Sequence, residues 1–379
     1  MMNETTSKKI IIFGTGSYAD KLCDSFPELN VEYFVDNDSN KWGSEFNGKK
    51  IESPETLLKE NPDHLAVLIA SSYANQISSQ LNNLGFQEGR QYFFIKDLSF
   101  LAGYFRLYED GHYYSPYPSN QEIRARESEL FDRTRSELPG IDLNVADQLS
   151  FLRAISVYIR EFPYVGGNGN NGLRYVGDNL YFGLADAFCL YGIIRHVKPR
   201  RIIEVGSGYS SAVMLDTNSM FCNGNVNCTF IEPYPDRLLS LLSSEEERQR
   251  IVAEKLQDVD IALFDELEAG DILFIDSSHV SKIGSDVNRL IFDILPRLKA
   301  GVFIHFHDIF YPFELPATWI YEGRAWNESY ILRAFLQFNE SYKIKLWNHY
   351  LSLHHAKFYS ELIPPGSLLG GGSIWIEKC

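Results

Sequence analysis

Two groups of residues in this chain have the types and spacing that chemistry needs. The first is a glycine turn behind an apolar strand, Ile203-Glu204-Val205-Gly206-Ser207-Gly208-Tyr209-Ser210-Ser211. Glycines let the backbone approach a ligand with no Cβ in the way. Ser210 or Ser211 can cap a following helix, and in open α/β sheets ligands sit at the carboxyl ends of strands, beside such turns. Glu232 ends the next strand, where a carboxylate can accept both hydroxyls of a ribose. Gln257-Asp258 follows, placed to bond an adenine amino group. Together they read as a cradle for a nucleotide-type cofactor. The second group is titratable: Asp276 and His279 follow one apolar strand, and His305, His307 and Asp308 close the next. Imidazole changes charge near neutral pH, which suits it to accept a proton from a reacting group. Alternation puts His305 and His307 on one strand face and Ile304 and Phe306 on the other. With Asp308, the two histidines make a donor set suited to a transition metal.

These groups need strands to hold them. From residue 201 onward, apolar runs at 202–205, 228–231, near 251–253, 271–275 and 302–306 alternate with helical stretches, among them 286–298, which Lys299-Ala300-Gly301 stops. Such alternation predicts a parallel sheet. The amino-terminal hundred residues repeat the plan, with strands at 8–13, 31–35, 65–70 and 91–95 and helices to about residue 26 and over 76–84. Gly14 and Gly16 follow its first strand and Asp36 ends its second, a dinucleotide fingerprint with Ala19 as the third small residue. A Tyr92-x-x-x-Lys96 spacing falls in a strand without helical support and reads as chance.

The predicted fold class is α/β, with two Rossmann-like doubly wound sheets at 1–100 and 196–379. A helical connector and lid, 101–195, joins them. In the connector, 120–136 and 145–162 have helical patterns, and the glycine-rich run 166–172 is a candidate lid. At 379 residues, with 45% hydrophobic and 22% charged residues, the chain has ample material for two cores. A net charge of −15 argues against nucleic acid or an anionic membrane surface as the main partner. No eighteen-residue apolar run occurs, so no membrane span is expected, and a cytoplasmic location is. Cys23, Cys189, Cys222, Cys228 and Cys379 form no C-x-x-C. They read as reduced thiols, with a Cys222–Cys228 hairpin disulfide or half a metal site as the lesser alternative.

From these motifs the second half resembles the class I S-adenosylmethionine-dependent methyltransferases, most closely methyltransferase family 24. The resemblance rests on Ile203–Ser211, Ile231-Glu232-Pro233, Phe274-Ile275-Asp276-Ser277-Ser278-His279 and the run from Leu298 to Asp308. It implies a seventh strand inserted antiparallel, for which 371–376 is the candidate. It also implies that Glu204, Gly206 and Gly208, with Ser207, Tyr209 and Ser210 in the same turn, contact the amino-acid half of S-adenosylmethionine. Glu232 would then hold its ribose. By analogy with catechol-type O-methyltransferases, Asp276 and Asp308 are placed to share a magnesium ion, and His279 stands where those enzymes have a lysine base. The residues flanking Asp308 lack the usual acidic or amide pair.

The first unit resembles small nucleotide- or sugar-nucleotide-binding domains that precede transferases in bacterial surface-sugar pathways, through Phe13-Gly14-Thr15-Gly16, Phe34–Asp38 and Trp42-Gly43 with Gly48. The expected function is O-methylation of a sugar, sugar nucleotide or other small polar acceptor, in surface-polysaccharide biosynthesis. An aromatic insertion around Phe310, Trp319 and Trp326, with Asn327, Glu328, Asn348 and His349 among its polar residues, suits a sugar face. The rivals are a non-catalytic scaffold and an enzyme using NAD in the first unit. A homo-oligomer stays open.

Overall fold

Short β-branched and aromatic runs form the central strands of two separate sheets. The computed structural model describes residues 8–94, 110–164, 172–179, 181–365 and 370–379, without the side chain of Ser25. Contacts between residues divide the chain at 109/110 into two units.

In the first unit, β1 (Lys9–Phe13), β2 (Val31–Val35), β3 (Glu45–Phe46), β4 (Lys49–Glu52), β5 (Leu65–Ile69) and β6 (Tyr92–Phe94) pair in the order β3-β4-β2-β1-β5-β6. Alternation divides their side chains between two layers. Ile11, Phe13, Val67 and Ile69 meet Ile77 and Leu81 of helix α2 (Ala74–Asn83) on one side. Ile12, Phe34, Ala66 and Leu68 meet Ala19 and Leu22 of α1 (Ser17–Ser25) on the other. The expected turn at Trp42–Gly48 belongs to the β3–β4 hairpin. Tyr92 is buried, and its hydroxyl is engaged by Ser78 and Asn82. Lys96 lies outside the described residues.

The second unit carries β7 (Arg201–Val205), β8 (Asn227–Ile231), β9 (Ile251–Val252), β10 (Ile272–Ile275), β11 (Phe303–Phe306), β12 (Tyr342–Trp347) and β13 (Ile374–Lys378), in the order β12-β13-β11-β10-β7-β8-β9. β13 runs antiparallel between β11 and β12, as the resemblance implied. The boundaries expected at 100 and 195 need revision. Helices α3 (Val145–Ser156) and α4 (Leu184–Val197) share one core with β7 and β10, so from Asp110 the expected connector belongs to the second unit. α4 shows why: residues 185–194 are all buried, and a helix apolar on every side must lie inside a fold. Most of the glycine-rich run 166–172 lies outside the described residues.

The helix expected over 286–298 is instead an α-turn, a π-helical stretch (Arg289–Ile294) and a 3-10 turn (Leu295–Arg297). Pro296 lacks the amide that would continue the regular ladder. The 145–162 pattern ends as a helix at Ser156, and 120–136 forms two short helices, Asn120–Ala125 and Glu127–Leu130. The cysteines are all free, and Cys222 and Cys228 are not bridged. Among the described residues no helix is long and apolar enough to cross a membrane.

Both sheets change winding direction beside a glycine turn, β1 against β5 and β7 against β10. Gly206 has φ +79°, and a Cβ there would lie 1.8 Å from the carbonyl oxygen of Asp276. Gly224 also has positive φ but has open space. Gly206→Ala is therefore expected to cost ~3 kcal/mol or more in denaturant unfolding. Gly224→Ala should cost only about 1–2 kcal/mol of backbone strain. Equal losses would show that the close approach to β10 does not constrain the fold.

Candidate active site

The β7 turn leads directly into helix α5 (Tyr209–Phe221), whose first residues fasten it. Glu204 is fully buried, and its carboxylate accepts from the hydroxyls of Ser210 (2.5 Å) and Ser211. The Ser211 hydroxyl in turn accepts from the amide of Gly208 at 3.0 Å. Glu204 and Ser210 were expected to contact the cofactor; the structure turns their polar atoms onto each other, beneath the turn. Burial pushes the Glu204 carboxyl up to about 8. A Cβ at Gly206 would strike the Asp276 carbonyl oxygen, and one at Gly208 would come within 3.3 Å of the Arg237 side chain.

Glu232 ends β8 with its carboxylate fixed by the amides of Ser207 (3.1 Å) and Tyr234 (2.9 Å), while remaining partly exposed. Each oxygen retains a lone pair, which fits a ribose diol. Tyr209 stacks near Tyr181 (6.1 Å between ring centres), and the Arg237 guanidinium lies 3.9 Å over the Tyr181 ring. Asp258 is exposed at the end of the turn Leu256–Asp258.

The titratable residues gather at the ends of β10 and β11. His279 and Asp308 hold left-handed backbones, φ 59° and 57°. Such conformations cost energy in non-glycine residues and cluster at functional sites. His279 Nε2 lies 3.3 Å from Asp276 and 3.8 Å from Asp308, and Nδ1 lies 2.8 Å from Glu328. The other Glu328 oxygen accepts from Ser277 at 2.9 Å. The His279 carbonyl accepts from the amides of Asn327 and Glu328, and Trp326 stacks 4.3 Å from its ring. Burial lowers the His279 pKa, but its bonds to Asp276 and Glu328 hold it well above the ordinary value. One ligand atom from each of Asp276, His279 and Asp308 falls within 4.8 Å of the others, a spacing a divalent cation can bridge.

The other two histidines sit differently. His305 is fully buried, stacked 3.7 Å from Phe274 and 4.8 Å from Trp375, with Nε2 bonded to Ser373. Burial, together with His307, holds its pKa well below the ordinary value. The expectation that it acts as a base is corrected: its strand alternation was right, but that face is the packed interior of the sheet. His307 is also buried, with Nε2 3.3 Å from the Tyr181 carbonyl and 3.7 Å from Asp308. It borders the cluster without entering the Asp276–His279–Asp308 group. Glu328 was visible in the sequence only as a polar residue among aromatic ones. Its bond to a histidine 49 residues away could not be.

In the first unit, the Gly14–Ser17 turn, Asp36, Lys41, Ser71, Tyr73 and Gln76 line a cavity of about 650 Å³. Gly14 and Gly16 are both in its wall. One Asp36 oxygen accepts from the Thr15 amide and hydroxyl and from Lys41 (3.0 Å), and the other from the Asp38 amide. Burial raises the Asp36 pKa, but these partners hold it below the usual value. Both oxygens of Asp36, the acid of the expected dinucleotide fingerprint, thus have partners within the protein.

A sheet parallel but for β13, with this strand order, a glycine turn at its switch point and an acid at the next strand end, defines a class I methyltransferase domain. Residues 203–309 match a family described as a methyltransferase domain, and the second unit is a class I, S-adenosylmethionine-dependent methyltransferase domain. Residues 6–91 match a second family, described as C2185-like, N-terminal. An uncharacterized protein of Archaeoglobus fulgidus is 37% identical over 166 residues, 43% of this chain and 75% of that one. Among solved structures, a methyltransferase of Podospora anserina with bound SAH is 15% identical, over 70% of this chain and 99% of that one, with a TM-score of 0.34. The UDP-D-quinovosamine 4-dehydrogenase of Vibrio fischeri is 22% identical, over 25% of this chain and 86% of that one, with a TM-score of 0.20.

The buried Glu204 carboxyl links stability to pH. Below its ordinary pKa of 4.5 it is neutral in folded and unfolded chains alike, and its contribution to stability is fully present. As pH rises through about 8 the unfolded chain is already ionised while the fold must bury a charge, so that contribution is lost. Thermal melts of Glu204→Gln between pH 5 and about 9 should show a flatter decline than the unsubstituted protein. Identical pH slopes would mean that the serine hydroxyls keep Glu204 ionised throughout.

Proposed function

We propose that the methyltransferase unit is a divalent-cation-assisted O-methyltransferase acting on a sugar or another small polar acceptor in surface-polysaccharide assembly. The first unit, in the same reading, takes a nucleotide or sugar nucleotide. The observation that carries the proposal is the grip on His279, with Glu328 on one ring nitrogen and Asp276 and Asp308 facing the other.

S-adenosylmethionine, when bound, supplies a methyl group made electrophilic by its sulfonium. The chain itself has to orient an acceptor hydroxyl in line and remove its proton. Glu232 fixes the ribose, and the open glycine turn lets the rest of the cofactor approach the backbone. Asp276 and Asp308 would hold a divalent cation, which would supply Lewis acidity to an acceptor hydroxyl and leave Nε2 of His279 to take its proton. Glu328 fixes Nδ1 of His279 and aims Nε2 toward the aspartates. The field of Asp276 keeps that nitrogen protonated, so His279 is free to accept a proton only when the carboxylate charge is compensated. Phe310, Trp319 and Trp326, all partly exposed, offer flat apolar surface to a sugar ring.

His279→Ala is expected to bind S-adenosylmethionine as the unsubstituted protein does in calorimetry. Its turnover should fall by about a hundred- to ten-thousand-fold. A chelator should stop turnover and added magnesium restore it. Unchanged rates in the variant would remove His279 from the chemistry, and activity indifferent to chelator would leave the aspartates as positioning groups.

A further inference from the structure

Arg133 differs in its surroundings from the paired arginines of the second unit. Arg174 is paired with Asp216 and Glu247, Arg195 with Glu161, and Arg324 with Glu322. Arg133 is half-buried, and among the described residues no carboxylate lies within ion-pair distance of it. The neighbouring Asp132 is engaged by Thr134 and lies 3.9 Å from Arg135. In a chain of net charge −15, a partly desolvated guanidinium without a carboxylate is conspicuous.

The group nearest to it makes the shortage sharper. Arg133 Nη1 lies 3.3 Å from Nε2 of His349. The other ring nitrogen, Nδ1, accepts from the Tyr311 backbone amide at 2.9 Å, so Nδ1 carries no hydrogen. Burial and the Arg133 charge push His349 down to about 4, so the ring is neutral and its hydrogen sits on Nε2. Two donors therefore face each other with no acceptor between them. A backbone amide fixes one of them, and the other is a fork built for anionic oxygens.

The pair stands at one end of a run of rings. His349 meets Phe310 edge-on at 5.3 Å, Phe310 meets Trp319 at 5.4 Å, Trp319 meets Trp326 at 5.5 Å, and Trp326 stacks on His279 at 4.3 Å. Phe310 lies two residues beyond Asp308, whose carboxylate is 3.8 Å from Nε2 of His279.

We propose that Arg133 and His349 form an anion cradle that binds a phosphate or carboxylate group of the acceptor, whose ring lies along the aromatic wall toward His279. The acceptor class is thereby narrowed to anionic saccharides, either phosphorylated or carboxylated, and this narrowing rests on the methyltransferase reading above. An oxygen at the cradle accepts from both donors and gives the guanidinium its counter-charge. The wall then sets the distance to the hydroxyl that reacts.

The test is calorimetric titration of the full chain with inorganic pyrophosphate and, separately, with glucuronate, using glucose as the neutral control. The unsubstituted protein should bind at least one of the two anions, and which one binds identifies the phosphoryl or carboxylate source. Arg133→Met should weaken that binding about tenfold or more while S-adenosylmethionine affinity stays within about twofold. Arg133→Lys keeps the charge without the fork and should fall between the two; it carries the test should the methionine variant not fold. Equal anion affinity in the unsubstituted and substituted proteins, or no anion binding at all, overturns the proposal. Failure to bind S-adenosylmethionine in the unsubstituted protein would instead defeat the methyltransferase reading, with the anion result standing apart from it.

Discussion

The carbonyl oxygen of Asp276 occupies the space where a side chain on residue 206 would begin. That contact draws the β7 turn against the end of β10 at the switch point of the sheet. It sets the glycine turn, whose Ser207 amide holds Glu232, beside the strand end that carries Asp276 and His279. The same solution appears in the first unit, where a Cβ on Gly14 would lie 2.5 Å from the Ala70 carbonyl. In both places a residue without a side chain lets neighbouring parallel strands end close enough to form a site.

Around that contact the protein separates residues that build the turn from residues that face outward. Glu204 looks like a ligand group by position, yet its oxygens are taken by two serine hydroxyls that fasten the start of α5. Glu232 sits at the neighbouring strand end, takes its bonds from backbone amides and keeps a partly exposed face. The difference is one of depth. A carboxylate inside the layer must find donors in the protein, whereas one at the rim can wait for a ligand.

His279 depends on a segment remote from it in sequence. Trp326 covers its ring, the amides of Asn327 and Glu328 take its carbonyl, and the Glu328 carboxylate takes Nδ1. Three consecutive residues thus hold one left-handed histidine whose backbone conformation would otherwise be unfavourable. The insertion between β11 and β12 is accordingly part of the wall around His279. His305 shows the opposite case, a histidine on a regular strand that becomes core because its face meets Phe274 and Trp375.

The sequence by itself determined the strands, because apolar pentapeptides and the turn glycines that follow them are local signals. It also determined the switch-point turns at Gly14 and Gly206 and the acids at the strand ends, since these sit at fixed offsets from the strands. It did not determine where the second unit begins, because whether α3 and α4 form a connector or a core depends on what covers their apolar faces. Nor did it decide which histidine could act. His279, His305 and His307 have the same chemistry in one dimension, and only packing distinguishes a buried ring faced by three carboxylates from a ring packed between Phe274 and Trp375. The partners that made this distinction, Glu328 for His279 and Ser373 for His305, lie 49 and 68 residues away. No local rule spans that separation, so the tertiary structure decided it.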